Sequence, residues 1–332
     1  MMTGINKRKN GIELLRIIAM LMIVVLHMLG HGEVLTTVQP DQNKYYFCWT
    51  LEGMCYIAVN CFVLITGYFS SRSKARIEKI LFLWLQVFVF SAVIYLCFAL
   101  TGAAEFDGFS LFKALTPTVS GMYWFATVYI GLNIIVPFIN GFLNNLTDKQ
   151  HWNLILIMVI LFSLIPTLFP YSTWVNFGGG YGLVWFIVLY MTGAYIRKME
   201  FRRVRNVYWI LGYLGCISLL PITKFVINYL VTQMHLENMI VYTDMMYMYN
   251  SIAVLCGAVC IFMLFLNLDF KSSWAKKAIA FFAPLTFGVY LIHAHAEVDT
   301  WMWGMLDLTQ KMESMTFPVI QLLSVMTIFM IC

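Results

Sequence analysis

Ten apolar segments run along this chain, at approximately 12–31, 51–69, 80–101, 121–142, 152–170, 181–197, 207–230, 245–268, 278–296 and 316–332. Most are long enough to cross a bilayer, where no water is present to satisfy backbone N–H and C=O groups. Such segments must close their own hydrogen bonds as helices. Of 332 residues, 61% are apolar and only 11% charged, and the mean hydropathy is +0.80. A water-soluble domain of this size could not hide so much apolar surface. The expected fold class is an all-α polytopic membrane protein of about ten transmembrane helices, a single integral-membrane domain over residues 1–332. The segments near residues 60, 190 and 287 contain glycine and polar residues, which suits bundle-interior helices.

Charge placement orients these segments. With the N-terminus inside, the inner loops hold Lys7, Arg8, Lys9 and Arg16, then Arg72, Lys74, Arg76 and Lys79, then Lys149. They continue with Arg197, Lys198, Arg202, Arg203 and Arg205, and with Lys271, Lys276 and Lys277. That is 17 of the 21 Lys and Arg residues; Lys44, Lys113 and Lys311 fall outside, and Lys224 lies within the seventh segment. The outer stretches collect acidic residues instead, among them Glu33, Asp41, Glu52, Asp244, Asp299, Asp307 and Glu313. This alternation follows the positive-inside rule and predicts both termini on the cytoplasmic side. The net charge of +5 is thus a topological signal, and no nucleic-acid partner is expected. Lys7-Arg8-Lys9 resembles the start of a signal peptide, but the apolar run behind it is too long and lacks a small-residue cleavage site. A retained signal-anchor helix is expected. The last segment stops abruptly at Cys332 with no polar tail, so the natural chain is expected to continue beyond it.

The eight cysteines form no CxxC pair. Cys256 and Cys260 read as packing thiols in an apolar helix, and Cys48 and Cys55 are near enough to the outer face to pair. No metal-ligand cluster, phosphate-binding glycine loop or internal repeat is visible, and no metal is expected. Gly178-Gly179-Gly180 marks an outer loop before the sixth segment.

Within the first segment, IELLRIIAMLMIVVLHMLG, Arg16 and His27 are the strong polar groups beyond Glu13. Ionisable residues are costly in a membrane and mark function by default. Eleven positions at roughly 100° each come to about 1100°, some 20° past three turns, so both side chains share one face roughly 16 Å apart along the axis. A buried neutral imidazole can serve as a general base or a nucleophile; its alternative is a hydrogen bond to a neighbouring helix. Arg16 lies about one turn inside the inner boundary. It can snorkel to the interface, pair with Glu13 one turn earlier, or bind a phosphate-bearing ligand bidentately. Asn60, Asn133 and Asn140 are expected to bridge helices, and His295 to face the outer water.

Arginine, ten residues, then histidine in the first span resembles the acyltransferase type 3 family of integral-membrane acyltransferases. The likeness continues in VNCFVLITGYF (59–69), MYWFATVYIGLNIIVPFIN (122–140), VWFIVLYMTGAYIRK (184–198) and LTFGVYLIHAH (285–295). Each motif is weak by itself, but their order along essentially the whole chain is fairly specific. The resemblance implies an O-acyltransferase that takes an acyl group, often acetyl in this family, from cytoplasmic acyl-CoA. It also implies an acceptor hydroxyl on a cell-envelope glycan or lipid-linked sugar, in the inner membrane of a bacterium. It makes His27 the catalytic centre and Arg16 the donor support, with acetyl-CoA as co-substrate and no tightly bound cofactor. Family members usually carry an Arg-Arg and Arg-x-x-Pro-like cluster at the start of the third span. Here Arg72, Lys74, Arg76 and Lys79 stand there without a proline, so Arg72, Arg76 and Lys79 are candidates for holding the anionic nucleotide, against plain topological charge. Tyr123 and Trp124 suit either the aromatic belt or stacking on sugar rings, and His293 either approaches the site or bonds across helices. With no acceptor-handling domain attached, a partner protein could complete the reaction. The competing class is a multi-pass transporter with Arg16 and His27 on the solute path; the paired repeats or broken helices that would favour it are not evident.

Overall fold

The computed structural model describes residues 9–40, 42–73, 76–171, 178–199, 204–311, 314 and 316–332. Lys7, Arg8, Asp41, Lys74, Arg202, Arg203 and Glu313 lie outside the described residues. Among the described residues the regular structure is helical, without a strand. The principal elements are α1 (Asn10–Gly30), α2 (Asn43–Ser70, with a turn at 56–57), α3 (Ile77–Leu100), α4 (Trp124–Asn144) and α5 (Asp148–Leu168). They continue as α6 (Leu183–Met199), α7 (Asn206–Gln233), α8 (Ile252–Asn267), α9 (Ser273–His293), α10 (Ala296–Leu306) and α11 (Phe317–Ile331).

Seven of these, α1 to α5 with α7 and α9, are long and apolar enough to cross a membrane. Helices α6, α8 and α11 have 17, 16 and 15 residues, short of the roughly 18–20 that span a typical core. Every apolar segment therefore meets a helix, but the boundaries shift. The segment expected from 245 becomes helical only at Ile252, because Ser251 caps it there by accepting the Val254 N–H at 3.2 Å. Helix α5 passes through a π-helical stretch at Ile160–Leu164, just before Pro166. The Asn250 side chain donates to the Phe162 carbonyl in that stretch at 2.9 Å, compensating an irregular backbone inside the bundle.

Helix α1 is the central element, packed against α2, α8, α9 and α11. Ile12, Leu15, Ala19, Val24 and Met28 are fully buried on it. By contrast α3 presents Leu81, Phe82, Leu85, Val89 and Val93 outward, the pattern of a lipid-facing helix. In lipid, helices associate through close van der Waals contact and interhelical hydrogen bonds, since tails are as apolar as leucine. The α2–α6 crossing meets that requirement with glycine: a Cβ at Gly67 would strike the Tyr190 carbonyl, and one at Gly193 the Leu64 carbonyl. Two of the three asparagines bridge helices. Asn60 donates to the Tyr249 carbonyl at 2.8 Å and accepts from the Trp185 indole at 3.1 Å. Asn140 donates to the Ser70 carbonyl at 3.1 Å and accepts from the Tyr190 hydroxyl at 2.8 Å. Asn133 instead bonds the Tyr129 carbonyl of its own helix.

Cys48 and Cys55 are buried free thiols rather than a disulfide. They sit seven residues apart along one continuous helical stretch, about 10 Å at the helical rise, beyond disulfide reach.

Candidate active site

Residues Arg16, Met20, Ile23 and His27 follow one another on a single stripe of α1, and all four line one cavity of about 330 Å³. Helical periodicity alone produces this stripe, so the register read from sequence is realised in space. The opposite walls come from α2, α4 and α9, with Thr66, Trp124, Tyr129 and Tyr290 among them. The Thr66 and Tyr129 hydroxyls are 2.9 Å apart across the cavity wall.

At one end, the Arg16 Nη1 donates to Glu13 Oε1 at 2.8 Å, with the Arg16 side chain 31% exposed. Pairing with Glu13 and lining the cavity therefore occur together, and the guanidinium keeps donors for a further anion. Near this end a smaller hollow of about 90 Å³ is lined by Ser70, Ser73, Arg76 and Lys79, and it shares Leu83 with the main cavity. Arg72 lies apart, exposed, with Nη2 donating to the Arg197 carbonyl at 3.4 Å. Lys9 and Arg197 both donate to the Tyr68 hydroxyl, at 2.8 and 3.1 Å. Sequence reading had these two only as topological charges; nothing local in the sequence marks Tyr68 as their meeting point.

At the other end, His27 lies between two further histidines. Its ring stacks on His31 with centroids 4.6 Å apart and planes 11° from parallel. The His293 ring is 4.9 Å away at 49°. His31 Nδ1 donates to Asp299 Oδ1 at 2.9 Å, and the Trp303 indole donates to the same oxygen at 2.7 Å. The hydrogen bond to Asp299 raises the His31 pKa above its ordinary value, with the carboxylate charge adding to it and partial burial opposing it. Beyond this pair opens a polar chamber of about 430 Å³, lined by His31, Glu33, Asp299, Trp303 and Asp307 among others. Thus His27 faces the main cavity while its stacking partner faces the second chamber.

Of the other residues singled out from sequence, Trp124 lines the main cavity. Tyr123 is fully buried, and its hydroxyl donates to the Leu291 carbonyl at 2.7 Å. That bond makes it a link between α4 and α9, not an exposed aromatic face. His293 is fully buried beside His27. His295 does not face water: it is fully buried, with Nε2 donating to the Ser91 carbonyl at 3.2 Å and Nδ1 accepting the Glu297 N–H at 3.2 Å. A neutral imidazole with both nitrogens satisfied is a structural group.

Sequence reading missed His31 and Asp299. The available signal for His31 was its four-residue spacing from His27, one helical turn; Asp299 offered none. Among the described residues, His27, His31 and Asp299 also form one group whose donor atoms lie within 4.8 Å of one another. A divalent ion would need those atoms at about 2.0–2.6 Å from a common centre. His31 and Asp299 are already bonded to each other, and that bond accounts for their placement.

A cavity running from arginine to histidine along the first helix of a helical membrane bundle is thus in place. A family model described as an acyltransferase domain matches residues 9–332. No curated protein and no solved structure matches the chain. The chain belongs to the acyltransferase type 3 family and is a membrane acyltransferase.

Proposed function

We propose that the protein moves an acyl group, acetyl in the first instance, from cytoplasmic acyl-CoA to a hydroxyl of a cell-envelope glycan or lipid-linked sugar. The setting is a bacterial inner membrane crossed ten times, with both termini cytoplasmic as the positive-inside distribution of Lys and Arg supports. One observation carries the reading: a single cavity is lined by both Arg16 and His27.

In this orientation the Arg16 end opens toward the cytoplasm. The guanidinium meets a phosphate of the coenzyme, and Arg76 and Lys79 in the adjoining hollow supply further positive charge, with Arg72 nearby on the surface. The extended pantetheine arm then lies along Met20 and Ile23 and brings the thioester to His27. The acceptor enters from the polar chamber, where the carboxylates of Glu33 and Asp307 suit a polyhydroxylated ring. Trp124 lines the same cavity as His27.

The chemistry follows from general base catalysis. His27 takes the proton of the acceptor hydroxyl as the oxygen bonds to the thioester carbonyl carbon. The C–S bond then breaks, and the same proton passes from the His27 imidazolium to the departing coenzyme A thiolate. Products are the ester and free coenzyme A, with His27 returned neutral.

The test uses the full-length protein in proteoliposomes with labelled acetyl-CoA and an extract of envelope glycan as acceptor. Label entering the glycan with wild type and lost with His27→Ala supports the reading. Full incorporation by His27→Ala sinks it, and solute flux without any acyl-CoA dependence would establish the transporter reading instead.

A further inference from the structure

Two adjacent histidine rings each carry a buried nitrogen without a hydrogen-bond partner among the described residues: Nδ1 of His27 and Nε2 of His293. The rings are 4.9 Å apart between centroids. The tautomer of His293 is fixed by its surroundings. Its Nδ1 lies 2.6 Å from the Val289 carbonyl, one turn back on α9, and a carbonyl can only accept. The proton therefore sits on Nδ1, and Nε2 carries a lone pair. A fully buried acceptor left unmatched is costly, and a buried donor beside it is the natural complement.

We propose that His293 is the positioning residue for His27, accepting the His27 Nδ1–H on its Nε2 through a small rotation of the two rings. The inference rests on the proposed role of His27 as the base. That hydrogen bond would fix His27 as the Nδ1–H tautomer and leave the Nε2 lone pair for the acceptor hydroxyl in the cavity. When Nε2 takes the acceptor proton, His27 becomes an imidazolium, and its Nδ1–H bond to His293 becomes charge-assisted and stronger. His293 itself stays neutral, because Val289 holds its only proton. The arrangement follows the general logic of a base oriented by a third group, with an imidazole in the place of a carboxylate. It also separates His293 from a substrate-binding role: the residue is fully buried, and it is not among the residues lining either cavity.

Two substitutions test this in the full-length protein reconstituted with labelled acetyl-CoA and envelope glycan. His293→Asn keeps a donor for the Val289 carbonyl but offers no acceptor where Nε2 stood. His293→Gln reaches further and places its amide oxygen near that point. The expected result is a kcat lower by about 10²-fold in His293→Asn, the order lost when a reacting group is misplaced by about 1 Å. The KM values for acetyl-CoA and for glycan stay unchanged, and His293→Gln recovers most of the rate. Equal rates in both variants, whether both fast or both slow, overturn the proposal, as does a change confined to the glycan KM. A wild-type protein that transfers no acyl group overturns the proposed function, and this role falls with it.

Discussion

The imidazoles of His27 and His31 lie face to face, 4.6 Å between centroids and 11° from parallel, and the far ring is tied to Asp299 at 2.9 Å. One helical turn of sequence places the rings together, while the tie to Asp299 crosses from the end of α1 to α10. A proton on His31 therefore sets a positive charge against the proposed base, and Asp299 balances it. The other ionisable groups facing the pair are His293 on α9 and Glu33 and Asp307 around the chamber.

That relationship predicts a pH dependence. Asp299 raises the His31 pKa, so the stabilisation from this pair is fully present below the ordinary histidine value of about 6.5. It is lost as the pH rises through the raised folded value. With the His31 side chain 51% exposed, the pair is worth about 1 kcal/mol or less. Thermal unfolding in detergent micelles across neutral to mildly alkaline pH should show this decline in wild type. Asp299→Asn should flatten it. Parallel curves for the two proteins would refute the pairing.

Arg16 is bonded to Glu13 yet lines the cavity, so its proposed task is binding. Arg16→Ala should raise the KM for acyl-CoA by roughly 10- to 100-fold, corresponding to a charged hydrogen bond of about 1.5–3 kcal/mol. Arg16→Lys should fall between, because an ammonium lacks the planar fork that holds phosphate bidentately. Initial rates at varied acyl-CoA decide the matter; a fall in kcat with KM unchanged would move Arg16 out of the donor site.

The parts of this molecule legible in the sequence are those that depend on chain-local geometry. The apolar segments and the shared face of Arg16 and His27 follow from helical hydrogen bonding and 3.6-residue periodicity. His31 was hidden because it stands just past Gly30, where the helix ends, at the margin of the first apolar segment. Asp299 lies 268 positions from His31, and only tertiary packing joins them. Tyr123 read as a surface aromatic because its neighbours are apolar; the Leu291 carbonyl that binds its hydroxyl belongs to a helix far along the chain. His295 was misplaced for the same reason, its partner Ser91 being 204 residues away.

The α2–α6 crossing depends on the absence of side chains at two positions. A methyl group at Gly67 or Gly193 meets backbone carbonyls, which cannot swing aside as a flexible side chain can. Gly67→Ala and Gly193→Ala should each destabilise by about 1–3 kcal/mol through overpacking. Helix propensity favours alanine by up to about 1 kcal/mol, so the sign of the effect separates packing from propensity. Unfolding midpoints in detergent measure it, and a stabilised variant at either position would contradict the close approach.

Lys224, the one basic residue within the seventh apolar segment, gains its partners from tertiary structure. Its Nζ donates to Asp244 Oδ1 at 2.5 Å and sits 3.5 Å above the Trp49 ring. The lysine side chain is 5% exposed and the aspartate 61%, so the asymmetry decides what each substitution costs. Asp244→Asn leaves a buried ammonium against the rings of Trp49 and, at 5.7 Å, Tyr247, and should destabilise by about 1–3 kcal/mol. Removing both charges, as Lys224→Met with Asp244→Asn, should recover most of that loss, because a buried pair is commonly replaceable by apolar volume. A double-mutant cycle on unfolding in detergent reads the coupling directly. A double variant no more stable than Asp244→Asn alone would mean that Lys224 contributes through its contact with Trp49 and not through its charge pair.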